Sequence, residues 1–401
     1  MKSINLSDIA LFATYFIFVF LMTYGTFNSG LVFSRYGVYL AILLSTLYFL
    51  FIRPGFKKPD SLIEYWYLAS ISFVFIGSSL TMNTEILLSS LNFFIFSILL
   101  FFLFISILSH DLSSTIKTFA ILNIAVAAIA ILIGIALFSF EKLTFLFITL
   151  EYDIFWSKRM NSWFNNSTVL GFYICICSCF LYYLDNKRLI NKFLYLLILA
   201  LFITGLVLTG GRTGALLAVI SLALMKFNFS RRLISGILFI SLASSLIFLY
   251  FDYLVENIYF FRRLINFDSG FGGRAELANQ TFELLAFYDL PSILFGKGIG
   301  STAIIHNISI HSGSLRQILE LGIPFMILNL FIGLYIVLYA RITNSRKYKN
   351  ELRLGSTLMF ALIIGDLMIT SLWGVSLMSL FYCFALCILI VVLREKKSGT
   401  V

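Results

Sequence analysis

A chain of 401 residues that is 60% hydrophobic and only 12% charged cannot be an ordinary water-soluble domain, in which about a quarter of the residues carry charge. Its formal net charge of +10 is scattered between apolar runs rather than gathered into a basic domain, which argues against a nucleic-acid partner. Four prolines and 45 phenylalanines point to long apolar helices, which satisfy their own backbone hydrogen bonds in hydrocarbon. The short alternating strands of a membrane β-barrel are missing from the pattern.

The expected class is therefore an all-α, polytopic integral membrane protein. Taken in chain order, runs of the length needed to cross a bilayer fall at 9–27, 36–52, 64–80, 85–108, 116–140, 168–184, 193–209, 213–227, 233–251, 323–340, 354–372 and 375–393, about twelve in all. The first run follows Lys2 and resembles a signal peptide, but it is long for one and no small-residue cleavage site follows, so it is expected to be retained.

Lys and Arg gather in cytoplasmic loops. With the amino end inside, 19 of the 29 basic residues fall on the inner side, and an even span count places both termini in the cytoplasm. The chain then forms a single membrane domain, 1–401, with two long outer loops, 141–167 and 252–322. The second is long enough to fold into helices of its own. Cys175, Cys177 and Cys179 share one apolar run, and Cys383 and Cys387 another. Alternate spacing on a helix fans the first three around its barrel, which suits packing better than a disulfide or a metal site.

Ten basic residues remain outside: Arg35, Lys142, Lys158, Arg159, Arg212, Arg262, Arg263, Arg274, Lys297 and Arg316. Positive charge there opposes the topological bias, so an external anion is the natural explanation. Guanidinium grips phosphate oxygens in bidentate fashion, and a pyrophosphate-linked lipid at the outer leaflet would suit it; pairing with acids such as Asp252, Glu256, Asp268 and Glu276 is the plainer alternative. Arg212 stands apart. It lies in Thr209-Gly210-Gly211-Arg212-Thr213-Gly214, a turn too short to fold back over the surface, so its charge belongs at the membrane boundary.

The chain has three histidines: His110 in an inner loop, and His306 and His311 near the end of the large outer loop. Either outer histidine could take a proton from an attacking hydroxyl near neutral pH. Gly296, Gly298 and Gly300 could cradle a phosphate, but no strand precedes them and tight turn geometry is the better expectation. Asp366 sits inside the penultimate span, where it could pair with Thr370 or line a cavity.

His311-Ser312-Gly313-Ser314-Leu315, followed by Leu319-Glu320-Leu321-Gly322, resembles the H-[NS]-x-x-L-x-x-L-x-E-x-G pattern of the O-antigen ligase and polymerase superfamily. Four further stretches resemble that superfamily in the right order. Arg159 to Asn166 is similar to its R-x-x-G-x-F-x-N-x-N segment, with Asn161 and Ser162 leaving no glycine. Thr209 to Gly214 is similar to its S-R-[GT] turn, with Gly211 for the serine. Gly272-Gly273-Arg274 and Phe295 to Gly300 are similar to its S-G-R and G-x-G-x-G segments. The resemblance covers roughly 155–330, and the amino-terminal spans add hydropathy alone.

The resemblance implies a GT-C-like, metal-independent glycosyltransferase without a cofactor, in a bacterial inner membrane. It would move glycan from undecaprenyl pyrophosphate to an acceptor hydroxyl, with a chain-length regulator protein as a possible partner. On it, Arg212 and Arg274 hold the pyrophosphate and His311 is the base. Arg159, Lys297, Arg316, His306 and Glu320 bind donor or acceptor. A repeat-unit polymerase is favoured over a ligase to lipid A core, because glycine-rich departures from the motifs suit the more diverse polymerase group. The non-enzyme rival is a transporter or flippase of lipid-linked sugar, for which Asp366 is the main hint.

Overall fold

A computed structural model describes residues 61–140, 142–145, 148–151, 160, 164, 167–226, 279–306, 313–343, 345, 347–368 and 377–397. The expected spans at 9–27, 36–52 and 233–251 lie outside the described residues, as do Arg159, Arg274 and His311. The other nine each coincide with a helix. These are α1 (Leu62–Leu80), α2 (Thr84–His110), α3 (Leu112–Phe140), α4 (Ser167–Asn186), α5 (Lys192–Thr209), α6 (Arg212–Lys226), α10 (Ile323–Ile342), α11 (Lys349–Met368) and α12 (Leu377–Lys397). Short helices α7 (Leu290–Phe295), α8 (Ser301–Ile304) and α9 (Gly313–Leu321) occupy the end of the large loop.

Among the described residues, seven helices are long and apolar enough to cross a membrane, and the protein is an α-helical membrane protein. One departure from the all-α expectation lies in the segment expected to form the first outer loop. Strands β1 (Lys142–Phe145) and β2 (Ile148–Glu151) pair antiparallel, with Leu143 opposite Leu150 and Thr144 opposite Thr149. Leu, Thr, Phe and Ile alternate there in a run too short for a span, and β-branched and aromatic residues favour strand pairing.

The chain divides into two compact units, 1–122 with 276–401, and 123–275. In the first, helix starts follow local chemistry. Ser61 and Glu64 form a reciprocal capping box: Ser61 N donates to Glu64 Oε2 at 2.9 Å and Glu64 N donates to Ser61 Oγ at 3.3 Å. Asn83 Oδ1 accepts from the amides of Glu85 and Ile86 at the start of α2. Asp111 alone separates α2 from α3, donating its amide to Ile107 and accepting from Ser114 N, so the inner loop expected around His110 shrinks to one residue.

α12 is buried nearly all round, as a helix with apolar residues on every face must be when it sits inside a bundle. Phe384 lies 4.0 Å from Phe119 and 5.1 Å from Phe104 between ring centroids, joining α12 to α3 and α2. At its carboxyl end Arg394 forms an ion pair with the buried Glu64, so the end of α12 and the start of α1 meet. Both positions belong to the inner side in the sequence topology. Cys383 and Cys387 are buried free thiols, used as small packing residues.

In the second unit α4 is buried along almost its whole length, whereas α5 exposes Phe193, Leu196, Leu197 and Ile203, as a lipid-facing helix does. The first turn of α6 crosses α4 at close range. A Cβ on Gly214 would lie 2.6 Å from the carbonyl carbon of Gly171, so bare backbone is what permits the approach. Tyr173 donates its hydroxyl hydrogen to Asn123 Oδ1 at 3.0 Å, which satisfies two buried polar groups at once. Cys175, Cys177 and Cys179 are buried thiols outside any disulfide.

Candidate functional site

The described part of the large loop, 279–306 and 313–322, is held by its own backbone. A helical segment at 279–286 leads to Tyr288, and Asp289 caps α7 by accepting from Ser292 N at 3.2 Å. α7 stops at Gly296, where φ is +70°, and Gly298 follows at +90°. Both angles lie in the region that L side chains avoid. The turn they make aims its amides at the end of α9: Lys297 N donates to Leu319 O at 3.1 Å, and Gly298 N donates to Glu320 O at 2.8 Å. Those carbonyls lack intrahelical partners, so the glycine turn serves as a cap supplied from a distance. Its donors are thereby taken up within the chain rather than offered to a phosphate.

The same turn is clamped to α1 and α2. Ile299 N donates to Ser90 Oγ at 3.3 Å, and Ser90 is hydrogen-bonded to Ser78. A Cβ added at Gly77, in the body of α1, would fall inside contact distance of Phe295 O. In an isolated helix Gly77→Ala would stabilise by about 1 kcal/mol. Here it should destabilise, by roughly 1–3 kcal/mol, because a backbone carbonyl must move. Thermal unfolding in detergent, with limited proteolysis across 279–306, checks the sign; a more stable, equally resistant variant would refute the clamp.

Four expected binding residues converge on this scaffold. Tyr288 packs against Leu319 with Leu284, Leu285, Ile293 and Leu315 around it. Lys297 Nζ stands 4.1 Å above the Tyr288 ring. His306 Nε2 is 3.1 Å from the Tyr288 hydroxyl oxygen. Thr302 donates its hydroxyl hydrogen to Glu320 Oε1 at 2.7 Å, and Arg316 Nε lies 3.0 Å from that same oxygen.

These contacts divide the four by role. Glu320 is buried, with its Oε1 engaged by Thr302 and Arg316 inside the chain, so it organises the cluster. Arg316 Nε–H does not point well at the carboxylate, which makes the pair one of proximity, and the side chain keeps about a third of its surface exposed. Lys297 and His306 are part-exposed and reachable.

Two directions of titration follow. Burial, then the nearby Glu320, pushes the Tyr288 phenol up. Burial, then Lys297, pushes His306 below the ordinary histidine range. Tyr288 is thus a phenol, and His306 a neutral imidazole, at neutral pH.

No known family, characterised protein or solved structure matches this chain. The site therefore rests on its own geometry. In the second unit, α5 closes on Gly210 in the left-handed conformation, Gly211 follows, and Arg212 opens α6. The short turn foreseen at 209–214 is thus two residues between helices. Met160, the chain neighbour of Arg159, is buried and donates its amide to Leu208 O at 3.0 Å, which places residue 160 at the end of α5 beside the turn.

Asp366 has a partner that the sequence did not suggest. Gln317 of α9 donates its side-chain amide to Asp366 Oδ2, and both residues are buried. Thr370, the partner considered from sequence, lies outside the described residues. Asp366 is thereby tied to α9. Tyr288, Thr302 and Gln317 were also missed, since hydropathy and motif spacing carry no signal for a hydroxyl or amide that acts across 18 or 49 residues.

Proposed function

We propose that this protein is a polyprenyl-pyrophosphate-dependent glycosyltransferase of the O-antigen polymerase type. On this reading it is a GT-C-like protein of about twelve spans in a bacterial inner membrane, with both termini cytoplasmic and the site on the periplasmic face. It joins undecaprenyl-pyrophosphate-linked repeat units there. The observation that supports it most is the convergence of Lys297, His306, Arg316 and Glu320 around Tyr288, on an ordered loop whose sequence continues through His311. A placement of Arg212 at the first turn of α6 agrees with it, since a helix amino terminus adds favourable potential for an anion.

In the reaction, His311 removes the proton of an acceptor sugar hydroxyl as that oxygen attacks the anomeric carbon of the donor. The bond from that carbon to the pyrophosphate oxygen breaks, and the leaving group takes the electron pair. Arg212 and Arg274 bear the charge that grows on it, an interaction stronger in the transition state than in the ground state. Arg159, Lys297, Arg316 and His306 hold the donor and acceptor.

Gene disruption tests the assignment by the gel pattern of surface glycan. Loss of a polymerase leaves lipopolysaccharide with a single repeat. Bare core with stranded lipid-linked polymer would instead identify a ligase, and an unaltered pattern would sink the enzyme reading. Movement of labelled lipid-linked sugar across liposomes without a transfer product would identify a transporter.

A further inference from the structure

Of the two outer histidines, His311 was expected to be the base and His306 to bind donor or acceptor, and the described geometry bears on the role open to His306. His306 Nε2 faces the Tyr288 hydroxyl at 3.1 Å, and the rings lie nearly parallel with 6.0 Å between centroids. A phenol is a far better proton donor than a neutral imidazole N–H, and an imidazole nitrogen a better acceptor than a phenol oxygen, so the hydrogen bond runs from Tyr288 O–H to Nε2. With its lone pair occupied, Nε2 is no base. The remaining proton must sit on Nδ1, for which no described residue is a partner.

Resting on the glycosyltransferase reading, we propose that Tyr288 locks His306 as a neutral Nδ1–H donor that binds an oxygen of the lipid-linked oligosaccharide beside Lys297, leaving proton removal to another group. Tyr288 is then a positioning residue and His306 a binding residue. The charged surroundings are consistent with a neutral ring. Lys297 stands over the Tyr288 ring, Glu320 lies behind Tyr288 with Arg316 and Thr302 upon it, and the neighbouring Asp289 is capping α7. The nearest cation disfavours imidazolium, and the nearest carboxylate is already engaged. The rigid frame matters as well. Tyr288 is held by Leu319 on α9, and α9 is held by the glycine turn, so the hydroxyl cannot swing away from Nε2 without breaking that packing.

The chain has three histidines, which makes ring-15N labelling of the full-length protein in lipid nanodiscs tractable, with His306→Asn assigning one signal. The expected spectrum shows His306 as the Nδ1–H tautomer, protonating only below about pH 6.5, the ordinary histidine value. Tyr288→Phe should mix the tautomers and raise the midpoint. Adding undecaprenyl-pyrophosphate-linked oligosaccharide should shift the Nδ1 signal. An Nε2–H tautomer, a midpoint indifferent to Tyr288→Phe, or an Nδ1 signal unmoved by the substrate would each overturn the proposal.

Transfer assays add an arm that a merely structural role would not reproduce. Asparagine places its amide nitrogen where Nδ1 stood, and glutamine places its own where Nε2 stood. His306→Asn should keep transfer within about tenfold of the wild type, the loss set by one hydrogen bond of imperfect geometry, while His306→Gln should raise KM by more than that. Rescue by glutamine and failure of asparagine would show that only the Tyr288 bond matters, against the proposal. A wild-type protein with no transfer product defeats the enzyme reading, whereas the tautomer and the substrate-induced shift are still judged by their own resonances.

Discussion

Arg212→Ala should reduce glycan transfer by about 10²–10³-fold while leaving the protein as stable as before, or slightly more so. The two halves of this expectation have separate causes. Arg212 is the first residue of α6, where the exposed amides and the helix dipole make the local potential positive. A cation at that position opposes the dipole by about 0.3–1 kcal/mol, so a residue retained for helix stability alone would not be an arginine. An anion bound there reverses the sign, because both the guanidinium and the helix end then attract it. On the proposed reaction the loss falls mainly on kcat, since charge on the leaving pyrophosphate would be greater in the transition state than in the ground state. Arg212→Lys keeps the charge and loses the planar fork, and should recover only part of the rate. The measurement is transfer by purified protein from undecaprenyl-pyrophosphate-linked oligosaccharide, alongside thermal unfolding. Unchanged transfer, or activity that falls only in step with unfolding, would rule out the anion grip.

The largest expected effect on stability lies in the first unit, at Glu64. Glu64 is buried, receives Arg394, and caps α1 through Ser61. Glu64→Gln preserves an oxygen for the cap but deprives a largely buried guanidinium of its counter-charge, which should destabilise by about 3–5 kcal/mol. Glu64→Ala loses the cap too, adding about 1 kcal/mol. The decisive comparison is Glu64→Leu combined with Arg394→Leu. Removing both charges leaves no uncompensated ion, so the double variant should unfold close to the wild type despite losing the pair. Thermal unfolding of all four proteins in one detergent checks this order. A double variant as unstable as Glu64→Gln would mean that the pair itself, rather than the stranded charge, carries the stability.

Much of the architecture was legible because it depends on neighbours in sequence. Hydropathy located the starts of α4 and α5 within one residue, and that of α2 likewise, since a run of apolar residues between polar ones has little other use in a bilayer. The turn at 209–214 and the non-phosphate nature of the glycine triplet were equally readable, because glycine clusters report local backbone demands. The β1–β2 hairpin was missed for a related reason. Its ten residues are too few for a hydropathy window to register, and strand propensity depends on the pairing itself.

What lay beyond the sequence was which side chains meet. Lys297, His306, Arg316 and Glu320 could be chosen as polar residues in a loop expected to lie outside, but their division into three part-exposed side chains and one buried one follows from how α9 seats against the glycine turn. Asp366 looked like an isolated intramembrane acid until Gln317 was found against it. Glu64 and Arg394 sit near opposite ends of the described chain and gave no sign of each other. The sequence by itself determined a helical membrane protein, its described spans and the polar residues available outside them, because hydrophobicity and helical hydrogen bonding act locally along the chain. The tertiary structure decided that Tyr288 faces His306 and that Glu320 is withdrawn from solvent, because those outcomes depend on packing between elements whose contacts are set by the shape of the whole unit.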